Sequence, residues 1–256
     1  CATDYSNTIT VLVETPSTDP TSATADPAAV CGTGTVDLTA NGGALGTGAD
    51  WVWYDDDPNA GGVQVGTGSP LTGINVATST TFYVRAEGNC DTSNSAFTTV
   101  TIDIPPIAPT AVTATQTTIC AGSTVDLTVT GGSLGTGGQW AWYTTDPTVG
   151  SPIPVFTSGS TVYSGVSPPT TTTYYVRAEA CDTTAALSVT ITVNTLSQDP
   201  SSVLGSATNV CAGDPVTLTV GGGLLGTGAD WYWYQGGCGA GAPIGSGTAV
   251  TTNPTT

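Results

Sequence analysis

A unit that recurs after 89 and then after 91 residues is the feature that most constrains how this chain folds. Three sets of residues keep these spacings: Cys31, Cys120 and Cys211; Trp51, Trp140 and Trp231; and Cys1, Cys90 and Cys181. Self-similarity at a fixed period is the sequence signature of a repeat architecture. Because a repeat of this length is large enough to bury its own core, we expect separate domains in series.

Each repeat runs through the same motifs in the same order. A Cys leads into an alternating Val-x-Leu-Thr segment, followed by a Leu-Gly-Thr-Gly loop, a Trp-x-Trp-Tyr segment, and an aromatic-Tyr-Val-Arg-Ala-Glu segment in the first two repeats. Alternation with period two and a high content of Val, Thr and Tyr indicate strands, and Gly and Pro mark the turns between them. The pattern predicts an all-β fold of sandwich domains.

The order of these strands fits a head-to-tail array of tandem immunoglobulin-like β-sandwich domains. Val-x-Leu is then strand B, Trp-x-Trp-Tyr is strand C, and the Val-Arg segment is strand F. We expect one tryptophan of each repeat in the core, and Leu38 and Val84 in place of the B–F disulfide of antibody domains. The predicted boundaries are 1–15 (the final strand of a preceding repeat), 16–105, 106–196, and 197–256 (an incomplete repeat). We therefore expect the sequence to be a window on a longer chain.

The composition excludes several classes of function. The chain has 2 Lys or Arg residues, 19 Asp or Glu residues and a net charge of −17, so it lacks the cations that bind nucleic acid or an anionic membrane surface. It has no His, which removes Ser-His-Asp and Cys-His catalysis, and we expect no enzyme and no cofactor. No apolar run is long enough to span a membrane, so we expect no membrane insertion in this segment.

The segments "ICAGSTVDLTVTGGSLGTGGQWAWY", "TTTYYVRAEACDTT" and "LSVTITVN" resemble the Ig-like repeats of large secreted and cell-surface proteins of Bacteroidota. These include gliding adhesins and cargo of the type IX secretion system. The resemblance covers essentially the whole chain. It implies an extracellular or cell-surface location and a role as stalk, spacer or adhesive filament.

Two disulfide schemes remain open for the cysteines, which lack any C-x-x-C pair and are typical of an oxidising compartment. The first scheme pairs cysteines within a domain, as Cys31–Cys90 and Cys120–Cys181. The second pairs neighbouring domains, as Cys31–Cys181, and leaves Cys1, Cys90 and Cys120 to cysteines outside this sequence. We favour the second scheme, because the Cys before strand B and the Cys after strand F lie at opposite ends of one sandwich, too far apart for a disulfide.

A local pair, Cys211–Cys238, is also predicted, because strand C ends where strand B begins. Many members of the resembling family carry a Cys in the loop after strand C, and here only Cys238 matches that position.

Asp55, Asp57 and Asn59 lie in the one local cluster of acidic side chains. Several oxygens close together favour Ca²⁺, but the cluster departs from the EF-hand pattern and is absent from the other repeats. A solvated turn is the competing interpretation, and we prefer it. The paired Arg85 and Glu87, two residues apart on one strand face, predict a surface ion pair.

The family resemblance also implies O-glycosylation at Asp-Thr sites, which matches Thr183 and, less closely, Thr92. We expect the chain to be a structural or adhesive extracellular stalk or filament. Its expected partners are neighbouring repeats, copies of itself and surface glycans. The alternative is a spacer or carbohydrate-binding region of a large secreted hydrolase, with the aromatic strands as platforms on which sugars stack.

Overall fold

The computed structural model describes residues 9–255, which form β-strands and connecting loops with no helix among them. Cys1 and part of the predicted first strand lie outside the described residues. The strands of the first repeat are β1 (Ser22–Asp26), β2 (Ala29–Cys31), β3 (Gly34–Asn41), β4 (Asp50–Tyr54), β5 (Gln64–Thr67), β6 (Leu71–Val76), β7 (Thr80–Glu87) and β8 (Ala96–Asp103).

The second and third repeats supply the remaining strands. In the second they are β9 (Ala111–Ala114), β10 (Thr118–Cys120), β11 (Val125–Thr130), β12 (Gln139–Tyr143), β13 (Phe156–Ser158), β14 (Val162–Val166), β15 (Thr172–Glu179) and β16 (Leu187–Asn194). In the third they are β17 (Ser202–Gly205), β18 (Val216–Gly221), β19 (Tyr232–Trp233), β20 (Gly245–Ser246) and β21 (Ala249–Thr252).

The strands of the first repeat form two sheets. One sheet has the order β1-β3-β6 and the other has the order β2-β8-β7-β4-β5. The pairings are antiparallel except that β2 runs parallel to the last strand, β8. The second repeat repeats this plan with sheets β14-β11-β9 and β10-β16-β15-β12-β13. The all-β class and the tandem sandwiches predicted from the sequence are therefore confirmed.

By its internal contacts the chain divides into two compact units. Unit 1 comprises Cys1–Ile107, Ser133–Gly138 and Glu179–Thr184, and unit 2 comprises Ala108–Gly132, Gln139–Ala178 and Ala185–Thr256. Unit 1 therefore includes two short segments of the second sequence repeat, namely its Leu-Gly-Thr-Gly loop and the turn after β15.

The core of the first repeat corrects one expectation from the sequence. Trp51 and Trp53 are both buried, together with Leu38 and Val84, whereas only one tryptophan of each repeat was expected there. Side chains two residues apart on a strand point to the same face, so the pair enters the core together. Trp140 and Trp142 of the second repeat are buried in the same way.

Candidate functional site

A disulfide joins the first sequence repeat to the second. Cys31 ends β2, Cys181 lies in the turn after β15, and their Cα atoms are 5.6 Å apart across a sequence separation of 150 residues. Both cysteines belong to unit 1. This is the pair of the second disulfide scheme. Because Cys31 and Cys181 are bonded to each other, neither the Cys31–Cys90 pair nor the Cys120–Cys181 pair of the first scheme is formed.

The disulfide lies beside the segment that links the two repeats. The Cys181 sulfur is 3.9 Å from the carbonyl oxygen of Ile104, the first residue after β8. The backbone N–H of Ile104 donates to the hydroxyl of Thr136 at 2.8 Å, and the N–H of Thr136 donates back to the Ile104 carbonyl at 2.9 Å. Thr136 belongs to the Leu-Gly-Thr-Gly loop of the second repeat, so this loop holds the linker that precedes its own domain.

We call this reciprocal pair of hydrogen bonds the linker–loop contact. It occurs once in each of the three repeats. Thr15 pairs with Thr47 at distances of 3.0 Å, and Thr195 pairs with Thr227 at 3.0 and 3.2 Å. The first and third contacts add a bond from a loop glycine N–H to a linker serine hydroxyl. The loops were predicted only as connections between strands B and C.

The glycine before each loop threonine is explained by the close approach of the linker backbone. A Cβ on Gly46 would lie 2.2 Å from the Thr15 carbonyl oxygen, and one on Gly135 would lie 2.3 Å from that of Ile104. No side chain fits at such distances, so the motif keeps glycine there. The threefold retention of Leu-Gly-Thr-Gly was the sequence signal that marked these positions, although it does not show which backbone they contact.

The other described cysteines, Cys90, Cys120, Cys211 and Cys238, are free and exposed. The predicted local pair Cys211–Cys238 is therefore not formed in this structure. In the first two repeats the strand that ends at Cys31 or Cys120 pairs with the last strand of the repeat. Cys211 has no such strand partner among the described residues, so the segment before strand B is held differently in the third repeat.

The acidic cluster uses its oxygens to hold its own turn. Asp55 accepts from the backbone N–H of Val63 at 2.7 Å, and Asp57 accepts from that of Asn59 at 2.9 Å. The Asn59 side-chain oxygen accepts from Arg85 at 3.4 Å. Among the described residues no group of three or more acidic, Cys or His side chains is arranged to hold a metal ion. The turn interpretation accounts for these contacts without Ca²⁺.

The Arg85 side chain contacts two side chains of the same sheet. Its Nε lies 2.6 Å from a carboxylate oxygen of Glu87, and its guanidinium stands 5.1 Å from the centre of the Tyr54 ring. The Tyr54 hydroxyl also hydrogen-bonds Glu87. Burial alone would raise the pKa of Glu87, but hydrogen bonds from Tyr54 and Arg85 and the Arg85 charge hold that pKa below its ordinary value. Arg177 stands over Tyr143 in the same way in the second repeat.

The two predicted glycosylation residues occupy equivalent, exposed positions. Thr92 and Thr183 each form a β-bridge with the Glu that ends the preceding strand, Glu87 and Glu179 respectively. Both lie in the turn between the last two strands of a repeat. Their hydroxyls are therefore accessible to a modifying enzyme.

The aromatic strands of the first two repeats cannot act as sugar platforms through their tryptophans, because all four indoles are buried. In the third repeat Tyr232 is 58% exposed and lines a groove of about 330 Å³ with Trp231, Trp233 and Tyr234. In this groove an aromatic strand is open to a ligand.

Two sandwiches of this strand order, in series and joined by a disulfide, define a tandem immunoglobulin-like protein. The family model described as "Ig-like domain CHU_C associated" matches residues 18–106 and again residues 106–194. The chain belongs to this family. No curated protein matches it.

Solved structures agree on the fold. The I-band fragment I67-I69 from titin superimposes with a TM-score of 0.53 at 13% identity, over 89% of this chain and 84% of that one. The three-domain structure of titin I67-I69 in an E-to-A mutated variant gives a TM-score of 0.52 at 14% identity, over 93% and 86%. At these identities the likeness is one of fold alone. Over the part of the chain that the structure describes, no helix has the length and apolar character needed to cross a membrane.

Proposed function

We propose that this chain is a structural segment of an extracellular or cell-surface stalk or filament built of Ig-like repeats. The observation that carries the proposal is the Cys31–Cys181 disulfide, which joins two sequence repeats covalently at the linker between them. A disulfide is stable in an oxidising compartment outside the cytosol. A covalent connection between repeats serves a molecule that has to transmit tension, and the acidic surface keeps such a molecule soluble.

The resemblance to repeats of secreted and surface proteins of Bacteroidota supports the proposed location. A stalk or filament of Ig-like repeats has neighbouring repeats and further copies of the chain as its partners. An adhesive filament also binds surface glycans. Neither a cofactor nor catalysis is part of this function, since the sequence has no His and the Ig-like fold generally carries no active site.

The stalk proposal is tested by exchanging the repeats in the full-length protein. Residues 16–196 are replaced by two unrelated Ig-like repeats that are themselves joined by a disulfide, and a second variant deletes them. A spacer depends on the number of repeats and not on their sequence, so attachment of cells under flow should survive the exchange and decline after the deletion. Equal loss of attachment in both variants would mean that these repeats bind a ligand themselves.

A carbohydrate-binding role in a secreted hydrolase is the second candidate, and the exposed Tyr232 is the observation that favours it. Stacking on an aromatic side chain is worth about 0.5–1.5 kcal/mol beyond the area that it buries. Titration of the chain with neutral oligosaccharides should then give binding that Tyr232→Ala weakens by roughly 2- to 10-fold and Tyr54→Ala leaves unchanged. Absence of binding to any neutral oligosaccharide rejects this candidate.

A further inference from the structure

Cys120 lies at the position in the second repeat that Cys31 occupies in the first. Cys90 lies at the position in the first repeat that Cys181 occupies in the second. We propose that they are halves of two further disulfides of the same kind. Cys120 bonds a cysteine in the turn between the last two strands of another Ig-like repeat, and Cys90 bonds the cysteine before strand B of another. This inference rests on the proposed array of repeats and specifies how its members are connected.

The surroundings of Cys120 reproduce those of Cys31. β10 runs parallel to β16 with Cys120 opposite Asn194, just as β2 runs parallel to β8 with Cys31 opposite Asp103. The residue after each cysteine donates its N–H to that opposite carbonyl, at 2.9 Å after Cys120 and 2.8 Å after Cys31. The thiol of Cys120 is therefore held at the same point of the sandwich, next to the start of the following linker.

The linker beside Cys120 is also held in the same way. Thr195 makes the linker–loop contact with Thr227 that Ile104 makes with Thr136. In unit 1 the carbonyl of Ile104 is the group that the Cys181 sulfur approaches. The carbonyl of Thr195 is its counterpart. The turn of a third repeat, attached through an identical contact, would bring its cysteine to Cys120.

Cys90 lies between the last two strands of its repeat, as Cys181 does, in a turn that is one residue longer. The turn that carries Cys90 is closed by a hydrogen bond from Gly88 N–H to the Asp91 carbonyl at 3.0 Å, and the turn of Cys181 by one from Ala180 N–H to the Asp182 carbonyl at 2.9 Å. Cys90 is exposed and free. A lone exposed thiol would carry no inference, but here the equivalent residue of the next repeat is already bonded in this chain.

Formation of each bond oxidises two thiols, which lose two electrons and two protons to form one sulfur–sulfur bond. The oxidant is a low-molecular-mass disulfide such as oxidised glutathione, which is reduced to two thiols by exchange. No other reactant is needed. Each bond, like Cys31–Cys181, would connect a repeat to the repeat that follows it.

The first test uses the whole protein isolated without reductant from its source. Free thiols are alkylated, and the protein is cleaved with pepsin and an Asp-directed protease, since two Arg and no Lys make trypsin unsuitable. We expect Cys120 to be protected from alkylation and linked to a peptide with a cysteine from a turn of another repeat. Alkylated Cys120 beside an intact Cys31–Cys181 bond overturns the inference, and so does a Cys90–Cys120 bond. Either result leaves the stalk function untouched.

The second test supplies the partner within one recombinant chain. Fusing residues 171–196 behind Thr256 adds a second copy of β15, the cysteine turn and β16 to the third repeat. In oxidised glutathione, we expect the added cysteine to bond Cys120 and to remove its alkylation. The control carries Ser in place of the added cysteine and should leave Cys120 alkylated. A bond from the added cysteine to Cys211 or Cys238, or its persistence as a thiol while Cys31–Cys181 forms, contradicts the proposal.

Discussion

At the scale of single residues, Trp53 and Trp142 hold equivalent core positions but differ in one hydrogen bond. The indole N–H of Trp53 donates to the Gly68 carbonyl at 2.9 Å. The indole nitrogen of Trp142 is buried with no hydrogen-bond partner among the described residues. A buried donor without a partner costs about 1–3 kcal/mol, so the two side chains contribute differently to the stability of their domains.

Replacing each tryptophan with phenylalanine should separate the two cases. Both changes remove similar volume from a fully buried position, but Trp53→Phe also breaks a hydrogen bond, whereas Trp142→Phe removes an unpaired donor. We expect Trp53→Phe to be the more destabilising by about 1–3 kcal/mol. Urea unfolding followed by fluorescence measures this difference for each domain. Equal destabilisation by the two variants would show that Trp142 has a partner in solution.

The lowered pKa of Glu87 makes a second prediction at this scale. Since the folded pKa lies below the ordinary value of 4.5, the carboxylate stabilises the fold fully above that value, and this stabilisation is lost as the pH falls through the folded pKa. Glu87→Gln should lower stability at neutral pH by up to about 1 kcal/mol and make little difference in strong acid.

Thermal unfolding of Glu87→Gln across the acid range, compared with the wild type, checks the sign. Tyr54→Phe is the graded comparison: it keeps the Arg85–Glu87 ion pair and removes the Tyr54 hydrogen bond to the carboxylate, so it should weaken the pH dependence without abolishing it. The explanation fails if the loss caused by Glu87→Gln is the same at every pH.

At the scale of elements, the linker–loop contact fixes the position of the linker at the start of each domain. In Leu-Gly-Thr-Gly the first glycine admits the linker backbone and the threonine exchanges two hydrogen bonds with it. The second glycine has a positive φ, which is +65° at Gly48. A loop and a linker therefore form one structural element, although 32 residues separate Thr15 from Thr47.

Substitution of the two glycines should distinguish these roles. Gly46→Ala places a methyl group 2.2 Å from the Thr15 carbonyl oxygen, so the N–H of Thr47 should lose its acceptor and exchange hydrogen much faster. Gly48→Ala meets no atom closer than 3.6 Å and incurs only the cost of its backbone conformation, about 1–2 kcal/mol. Hydrogen exchange at Thr47 is the readout. Similar exchange rates in both variants would mean that close approach is not the reason for Gly46.

The sequence predicted the longer elements and missed the short or non-local ones. Alternation over several residues identified β3, β7 and β8, because a half-buried strand requires it, and the run of aromatic residues identified β4. The three-residue β2 is too short to show a period, and its parallel pairing with β8 depends on residues far along the chain. The linker–loop contact was missed for a similar reason, since no local pattern shows which backbone approaches a glycine.

At the scale of the whole molecule, the Cys31–Cys181 bond closes a loop of 150 residues. The loop contains most of the first repeat and most of the second. Under tension applied to the two ends of the chain, the force passes through the sulfur atoms and does not act on the residues between them.

Pulling single molecules should therefore give an extension that depends on reductant. Without reductant, the residues between Cys31 and Cys181 should add no length. With reductant they should add about 500 Å, since an extended chain gains about 3.3–3.6 Å per residue. Cys31→Ser is the control and should show the full length without reductant. Release of that length from the oxidised wild type would show that the bond is not formed.

The same bond also changes what a cut in the backbone does. The exposed loops at 55–63 and 144–153 lie between the two cysteines and are the kind of segment that extracellular proteases attack. A cleavage there would leave both fragments attached through sulfur, with their strands still paired. A chain cut in both loops would thus keep the part before Cys31 connected to the part after Cys181.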